Sequence, residues 1–328
     1  MRIAAAVIRR VLQLALVLFL VTSATFLLSA LIPGDFFSIH QADPTISADT
    51  IRQMRHSYGL DLPIQEQYLR WIRNLLKLDL GYSLFFRTSV RSVVAEALSR
   101  TLWLGLPALI LGMGAGIVLG TLHGLRHDRA AGHALDFAST AALSLPSILL
   151  GLTALMLAAQ THWFPLGGMS SASLDQPGIW RWLADRIHHL ALPALCLTIP
   201  IAASVERIQY ASTRGALEEL FVRSARARGL APGRIFFQYL LRPALNPMLS
   251  TSGPMIGGVL SGSLVLEMIF SWPGLGMVTY DALFNRDLYL LLGCVAASGI
   301  LLAAGNLAAD VALLALDPRT RQSQGREQ

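Results

Sequence analysis

His123, His127 and His133 fall within the stretch HGLRHDRAAGH, and His188 and His189 are adjacent. Imidazoles this close are the raw material of a metal centre. No acid stands at ligand spacing beside them, so no metal site is expected. Glu206, Glu267 and Asp310 sit toward the ends of apolar runs. None occupies the centre, where an ion-coupled carrier usually places its acid. There is no GxxxxGK[ST] phosphate loop and no HExxH, and the single lysine is Lys77 in LLKLDLGYS. Cys196 and Cys294 lie inside apolar runs and read as small buried side chains, not as a disulfide or metal pair. No catalytic residue and no cofactor are therefore expected. An ion-coupled secondary transporter and a membrane-integral enzyme are the alternatives from other classes.

The charged residues with a pattern are arginines. In FVRSARARGL, residues 221–230, Arg223, Arg226 and Arg228 precede Gly229. Ala216 to Arg228 holds no Gly or Pro and reads as a helix. Gly229 supplies its stop, with φ > 0 expected. Pro232 suits the first turn of a second helix that runs on through GRIFFQYLLRPAL. Two helices at a sharp glycine turn form a docking element. The bland alternative is a cytoplasmic loop whose arginines only fix orientation.

Elements must hold that loop in place. The chain is 54% hydrophobic and only 14% charged, against about a quarter charged in soluble domains. Val11–Gly34, Thr101–Leu125, Phe137–Gln160, Pro243–Leu266 and Leu288–Ala309 contain no Asp, Glu, Lys or Arg. Each reaches the ~20 residues needed to cross a hydrocarbon core of about 30 Å. Leu190–Val205 is shorter and works as a span if its helix continues past Glu206 and Arg207. Expected spans run at 9–32, 101–123, 137–160, 189–210, 246–270 and 288–312. Arg9-Arg10 before an apolar run resembles a signal peptide, but the run exceeds the ~7–15 residues of a signal's apolar core, which favours a retained helix. Gly112, Gly116, Gly120 and Gly124 share one helix face, as do Gly253 with Gly257 and Gly258 with Gly262, a spacing that lets backbones approach closely. Between the first two spans, Ile64, Tyr68, Ile72, Leu75 and Leu76 recur at helical spacing, an amphipathic helix on the membrane surface or on neighbouring spans.

The net charge is +6, but its placement argues against nucleic acid. With six spans the termini share a side, and that side carries Arg2, Arg9, Arg10, Arg126, Arg129, Arg207, Arg214, the arginines of the loop, and Arg319, Arg321 and Arg326. This is the positive-inside pattern, so both termini are expected in the cytoplasm.

The loop resembles the coupling segment, or EAA loop, of ABC-importer permeases of the dipeptide/oligopeptide/nickel group, which reads YVRxARAKGL there. Similar marks run along nearly the whole chain: LIPGD, YGLDLPIQEQYLRWIRNLLKLDLGYSL at 58–84, FPLGG at 164–168, EMIFSWPGLG at 267–276 and NLAADVALLALDPRTR at 306–321. The resemblance implies an all-α integral membrane fold with six transmembrane helices, a long extracytoplasmic segment after the first and a cytoplasmic coupling loop between the fourth and fifth. The corresponding boundaries are 1–34 for the N-terminus and first helix, 35–99 for the extracytoplasmic segment, 100–318 for the permease core with its loop at 211–247, and 319–328 for the tail. It also implies half of a translocation pathway in a bacterial inner membrane, a second homologous permease subunit, two ATP-binding cassette ATPase subunits and an extracytoplasmic solute-binding protein. Arg223, Ala225, Arg226, Ala227, Gly229 and Leu230 would form the ATPase-docking surface. Di- or oligopeptides are the implied solutes, with nickel or another small solute as alternatives.

Overall fold

The structure, a computed structural model, describes residues 2–40, 48–77, 79–171 and 178–316, with some side chains in the first, second, third, twelfth and last helices outside the description. Leu78 and the tail 319–328 lie outside the described residues. Among the described residues the regular structure is helical apart from a two-stranded hairpin, a small departure from the all-α expectation. Contacts divide it into two compact units, one made of 1–101 and 273–303, the other of 102–272 and 304–328.

In the first unit, α1 (Arg2–Leu31) is followed by the short α2 (Phe36–His40), α3 (Ala48–Tyr58) and α4 (Ile64–Leu76). The amphipathic helix expected at 64–76 is α4, and it packs on helices. Phe26 of α1 and Trp71 are buried with Tyr68, Ile72 and Leu75 around them. The Phe26 and Tyr68 rings lie 5.2 Å apart, and Ser23 hydrogen-bonds the Tyr68 hydroxyl at 2.7 Å. Leu76 points away and is 81% exposed, so Trp71 takes the place the spacing had assigned to Leu76. The hairpin pairs β1 (Tyr82–Ser83) with β2 (Thr88–Ser89), antiparallel.

A 36-residue helix, α5 (Val90–Leu125), starts in this unit, where Val90, Val94 and Ala97 are buried with residues of α13 (Leu275–Phe284) and α14 (Leu288–Leu316). Its later turns belong to the second unit with α6 (Ala130–Ser144), α7 (Ser147–Thr161), the 40-residue α8 (Ile179–Glu218), α9 (Leu220–Ala227), α10 (Pro232–Arg234), a π-helix (Ile235–Leu241), α11 (Arg242–Ala244) and α12 (Asn246–Ile269).

Among the described residues, Ala15–Ser38, Val90–Leu125, Ile179–Glu218 and Leu288–Ala309 are long and apolar enough to cross a membrane. The fourth expected span does continue past Arg207, as α8. The expected fifth span coincides with the 24-residue α12. The third, read as one helix over 137–160, is corrected: α6 and α7 meet at a bend of 100°. Pro146 is the cause. A residue before proline is pushed out of the α region, and Leu145 sits at φ −83°, ψ 119° with Pro146 at φ −58°, ψ 139°.

The glycine face of α5 lies against α8. A Cβ on Gly112, Gly116, Gly120 or Gly124 would come within 2.5–2.8 Å of Ile201, Val205, the Glu206 carbonyl or Thr213 respectively. Gly253 of α12 presses on Asn306 in the same way. The contacts of Gly258 and Gly262 are outside the description. FPLGG and EMIFSWPGLG, distant in sequence, meet: Gly168, at φ 81°, donates its N–H to the Phe270 carbonyl at 2.8 Å.

Candidate functional site

The arginine stretch folds into a helix with a defined end. The expected single helix over Ala216–Arg228 is interrupted at Glu219, whose backbone leaves the helix at ψ 140°. Propensity permits continuity there, but packing overrides it: the interruption turns α9 so that Val222 and Ala225, both 0% exposed, bury against Ile235, with Leu230 and Tyr239 around them. Glu219 then accepts the first two bonds of α9, from the N–H groups of Val222 and Arg223.

At the other end, Leu230 N–H bonds the Ala225 carbonyl at 3.3 Å and Gly229 N–H bonds the Arg226 carbonyl at 2.9 Å. This pair is the Schellman arrangement. Its left-handed residue is Gly229, at φ 70°, as the sequence led one to expect. Its hydrophobic component is Leu230 against Val222 and Ala225.

The second helix of the loop differs from a plain α-helix. Ile235–Leu241 is π-helical. Pro243 has no N–H to give, and in a regular α-helix its ring would collide with the carbonyl four residues back, at Tyr239. The wider winding falls where that strain would. Leu240 and Ala244 seat this segment on Ala216 near the end of α8.

The six residues singled out in the sequence thus divide. Arg223, Arg226, Ala227 and Gly229 are exposed, and no atom lies within 4 Å of a Cβ built on Gly229. Ala225 is fully buried inside the loop and Leu230 is half-buried. A small residue at 225 therefore lets the two halves of the loop close on each other and presents nothing to a partner. Sequence reading missed Leu220 and Phe221, which are 77% and 42% exposed. Both lie off the Val222–Ala225 stripe, the signal that would have placed them outside.

The histidines are also placed. His123 Nδ1 and Glu206 Oε1 lie 2.6 Å apart, both side chains buried. His127 Nδ1 hydrogen-bonds the Tyr210 hydroxyl at 2.9 Å. Among the described residues no three His, Cys, Asp or Glu side chains converge as metal ligands. Cys196 and Cys294 are free and buried. In the first unit a cavity of about 300 Å³ lies among α1, α4, α13 and α14. Three of its polar residues are engaged elsewhere: Asp35 with Arg55, Asp287 with Ser83, and Gln67 with the Leu60 and Leu62 carbonyls.

Residues 112–322, which include the whole loop, match the family described as binding-protein-dependent transport system inner membrane component. The chain belongs to this family. Residues 3–104 match the N-terminal model of the same transport-system membrane components. This inner membrane component is 34% identical over 318 residues to the oligopeptide transport system permease protein AppB of Bacillus subtilis, covering 96% of this chain and 99% of that one. It is 32% identical to the di/tripeptide transport system permease protein DppB of Pseudomonas aeruginosa, over 93% and 95% of the two chains. It is 30% identical to the oligopeptide permease OppB of Salmonella typhimurium, over 96% and 98%. Its fold is that of a solved chain of the MetNI methionine ABC transporter, with a TM-score of 0.53 at 16% identity over 69% of this chain and 97% of that one. Family and apolar helices together make it a multi-pass inner-membrane protein.

Proposed function

We propose that this chain is the permease subunit of an ATP-driven importer for di- or oligopeptides. It forms half of the translocation pathway with a second permease subunit, receives solute from an extracytoplasmic binding protein, and is driven by two separate ATPase subunits. Near full-length similarity to AppB, DppB and OppB supports the peptide assignment. The six spans are α1, α5, the bent pair α6–α7, α8, α12 and α14. Arginine placement supports cytoplasmic termini, and with them an extracytoplasmic position for residues 35–99.

The observation that carries the reading is the construction of the 211–247 loop. Its inner face is sealed by Val222, Ala225 and Ile235, its end is fixed by Gly229, and Arg223 and Arg226 stand exposed. A rigid element with a basic outer face suits a groove on the ATPase. In this reading the docking surface is Leu220, Phe221, Arg223, Arg226, Ala227 and Gly229, while Ala225 and Leu230 hold its shape.

The test is gentle purification followed by reconstitution of the intact complex. Co-purifying ATPase and ATP-dependent peptide uptake are expected. A chain that purifies without an ATPase, with uptake driven by an ion gradient and indifferent to ATP, sinks the assignment.

A further inference from the structure

Gly112, Gly116, Gly120 and Gly124 recur every four residues on α5. The residues they press on, Ile201, Val205, Gln209 and Thr213, recur every four on α8. Contacts advance together along both chains, so the helices run parallel. A seam with the same repeat on both sides is self-similar. Sliding one helix by four residues, about 6 Å, sets each glycine against the neighbouring site of the repeat. The glycine repeat alone leaves the axial register undecided.

Two polar rungs decide it. His123 pairs with Glu206, and His127, in the turn just after α5, pairs with Tyr210; each rung joins residues 83 apart in the chain. The His123 ring also stacks on Tyr210 at 4.0 Å. Beside them Gln209 donates to Thr121 at 3.2 Å and Thr213 at 3.3 Å. A slip of one turn in one direction sets Glu206 against Leu119. The other direction sets His123 against Ala202. Only the observed offset pairs His123 with Glu206.

A buried polar pair is a weak source of stability, because desolvation offsets the attraction. This one is not fully satisfied, since Glu206 Oε2 has no hydrogen-bond partner. The best-attested use of such a group is to specify register. We propose that His123 and Glu206 are positioning residues, a register key that holds α5 and α8 at one axial offset. The two helices then move as one body when the loop that follows α8 is displaced. The role in transport rests on the loop being the ATPase-docking element.

The experiment uses the full complex in proteoliposomes, with Cys196 and Cys294 replaced by Ala. Two cysteine pairs report the register: Thr121→Cys with Gln209→Cys for the observed offset, and Thr121→Cys with Thr213→Cys for the slipped one. With His123→Leu, the first cross-link is expected to fall, the second to rise, and ATP hydrolysed per peptide imported to rise about tenfold. The exchange His123→Glu with Glu206→His rebuilds the pair and is expected to restore all three. If His123→Leu does not accumulate, the exchange decides: accumulation with the observed cross-link and normal stoichiometry supports the key, and failure to accumulate overturns it. Unchanged cross-links and stoichiometry in His123→Leu also overturn it. These outcomes are separable from failure of the importer reading, in which no ATPase accompanies even the unmodified chain.

Discussion

Ser83 donates a hydrogen bond of 2.7 Å to Asp287 Oδ2, joining the hairpin to the head of α14 across 204 residues. The same carboxylate accepts from Phe85 N–H at 3.1 Å, and its other oxygen caps α14 through Leu290 N–H at 3.2 Å. Asp287 is 1% exposed. One side chain thus ends a loop, starts a helix and anchors a hairpin.

Asp287→Ala leaves three donors without this partner and is expected to destabilise the chain by about 2–4 kcal/mol, counting buried hydrogen bonds to a charge and a lost cap. Ser83→Ala removes one bond and is expected to cost about 1–2 kcal/mol. Thermal unfolding of the detergent-solubilised complex ranks the two. Equal losses would contradict the assignment of Asp287 as the hub.

Gly229 faces open space, so substitution there is felt only by the backbone. Gly229→Ala is expected to cost about 1–2 kcal/mol in the left-handed conformation, Gly229→Val more, and Gly229→Asn least. ATPase co-purification and peptide uptake at matched membrane abundance should fall in the order Asn, Ala, Val. None of the three changes charge. Wild-type behaviour of the valine variant would return the stretch to a loop whose arginines only orient the chain.

Ala225→Trp and Ala227→Trp separate the inside of the loop from its outside. At 225 the ring has no room, and overpacking costs about 1–3 kcal/mol or more. Limited proteolysis should then cut the loop even in the chain without its ATPase. At 227 the ring stands exposed, so protease resistance is expected to stay normal while ATPase binding falls. A loop equally resistant in both variants would refute the burial of Ala225.

The glycine face supplies its own control. Gly114 lies on α5 with no atom within 4 Å of a built Cβ, while a Cβ on Gly116 would stand 2.5 Å from Val205. Gly114→Ala is expected to leave membrane abundance unchanged. Gly116→Leu is expected to reduce it several-fold, since the helices must part. Abundance by immunoblot settles the comparison.

Much of this was legible because it is periodic or punctuated. The α4 stripe, the glycine repeat and the turn at Gly229 each follow from spacing and from what glycine alone tolerates. What escaped depends on partners distant in the chain. Trp71 is buried because Phe26 is there to meet it, and nothing local says so. Glu219 interrupts a good helical sequence because Ile235 must cover Val222 and Ala225. Glu206 looked like a residue at a span's edge, yet α8 runs twelve residues beyond it to Glu218 and His123 pairs with it inside the bundle. The break at Leu145–Pro146 was readable in principle, since proline constrains the residue before it. A charge-free run conceals such a break.

That break makes lipid chain length a variable for this protein. α6 and α7 have 15 residues each, about 22 Å of helix, so neither alone matches a hydrocarbon core of about 30 Å. α8, with 40 residues, is about 60 Å long and keeps surplus length at any thickness. Bilayers of shorter acyl chains suit α7, whereas longer chains must thin around it or tilt the bend further. Uptake measured in vesicles of graded acyl length is therefore expected to show an optimum set by the α6–α7 corner. Replacing Pro146 by Ala should flatten that dependence.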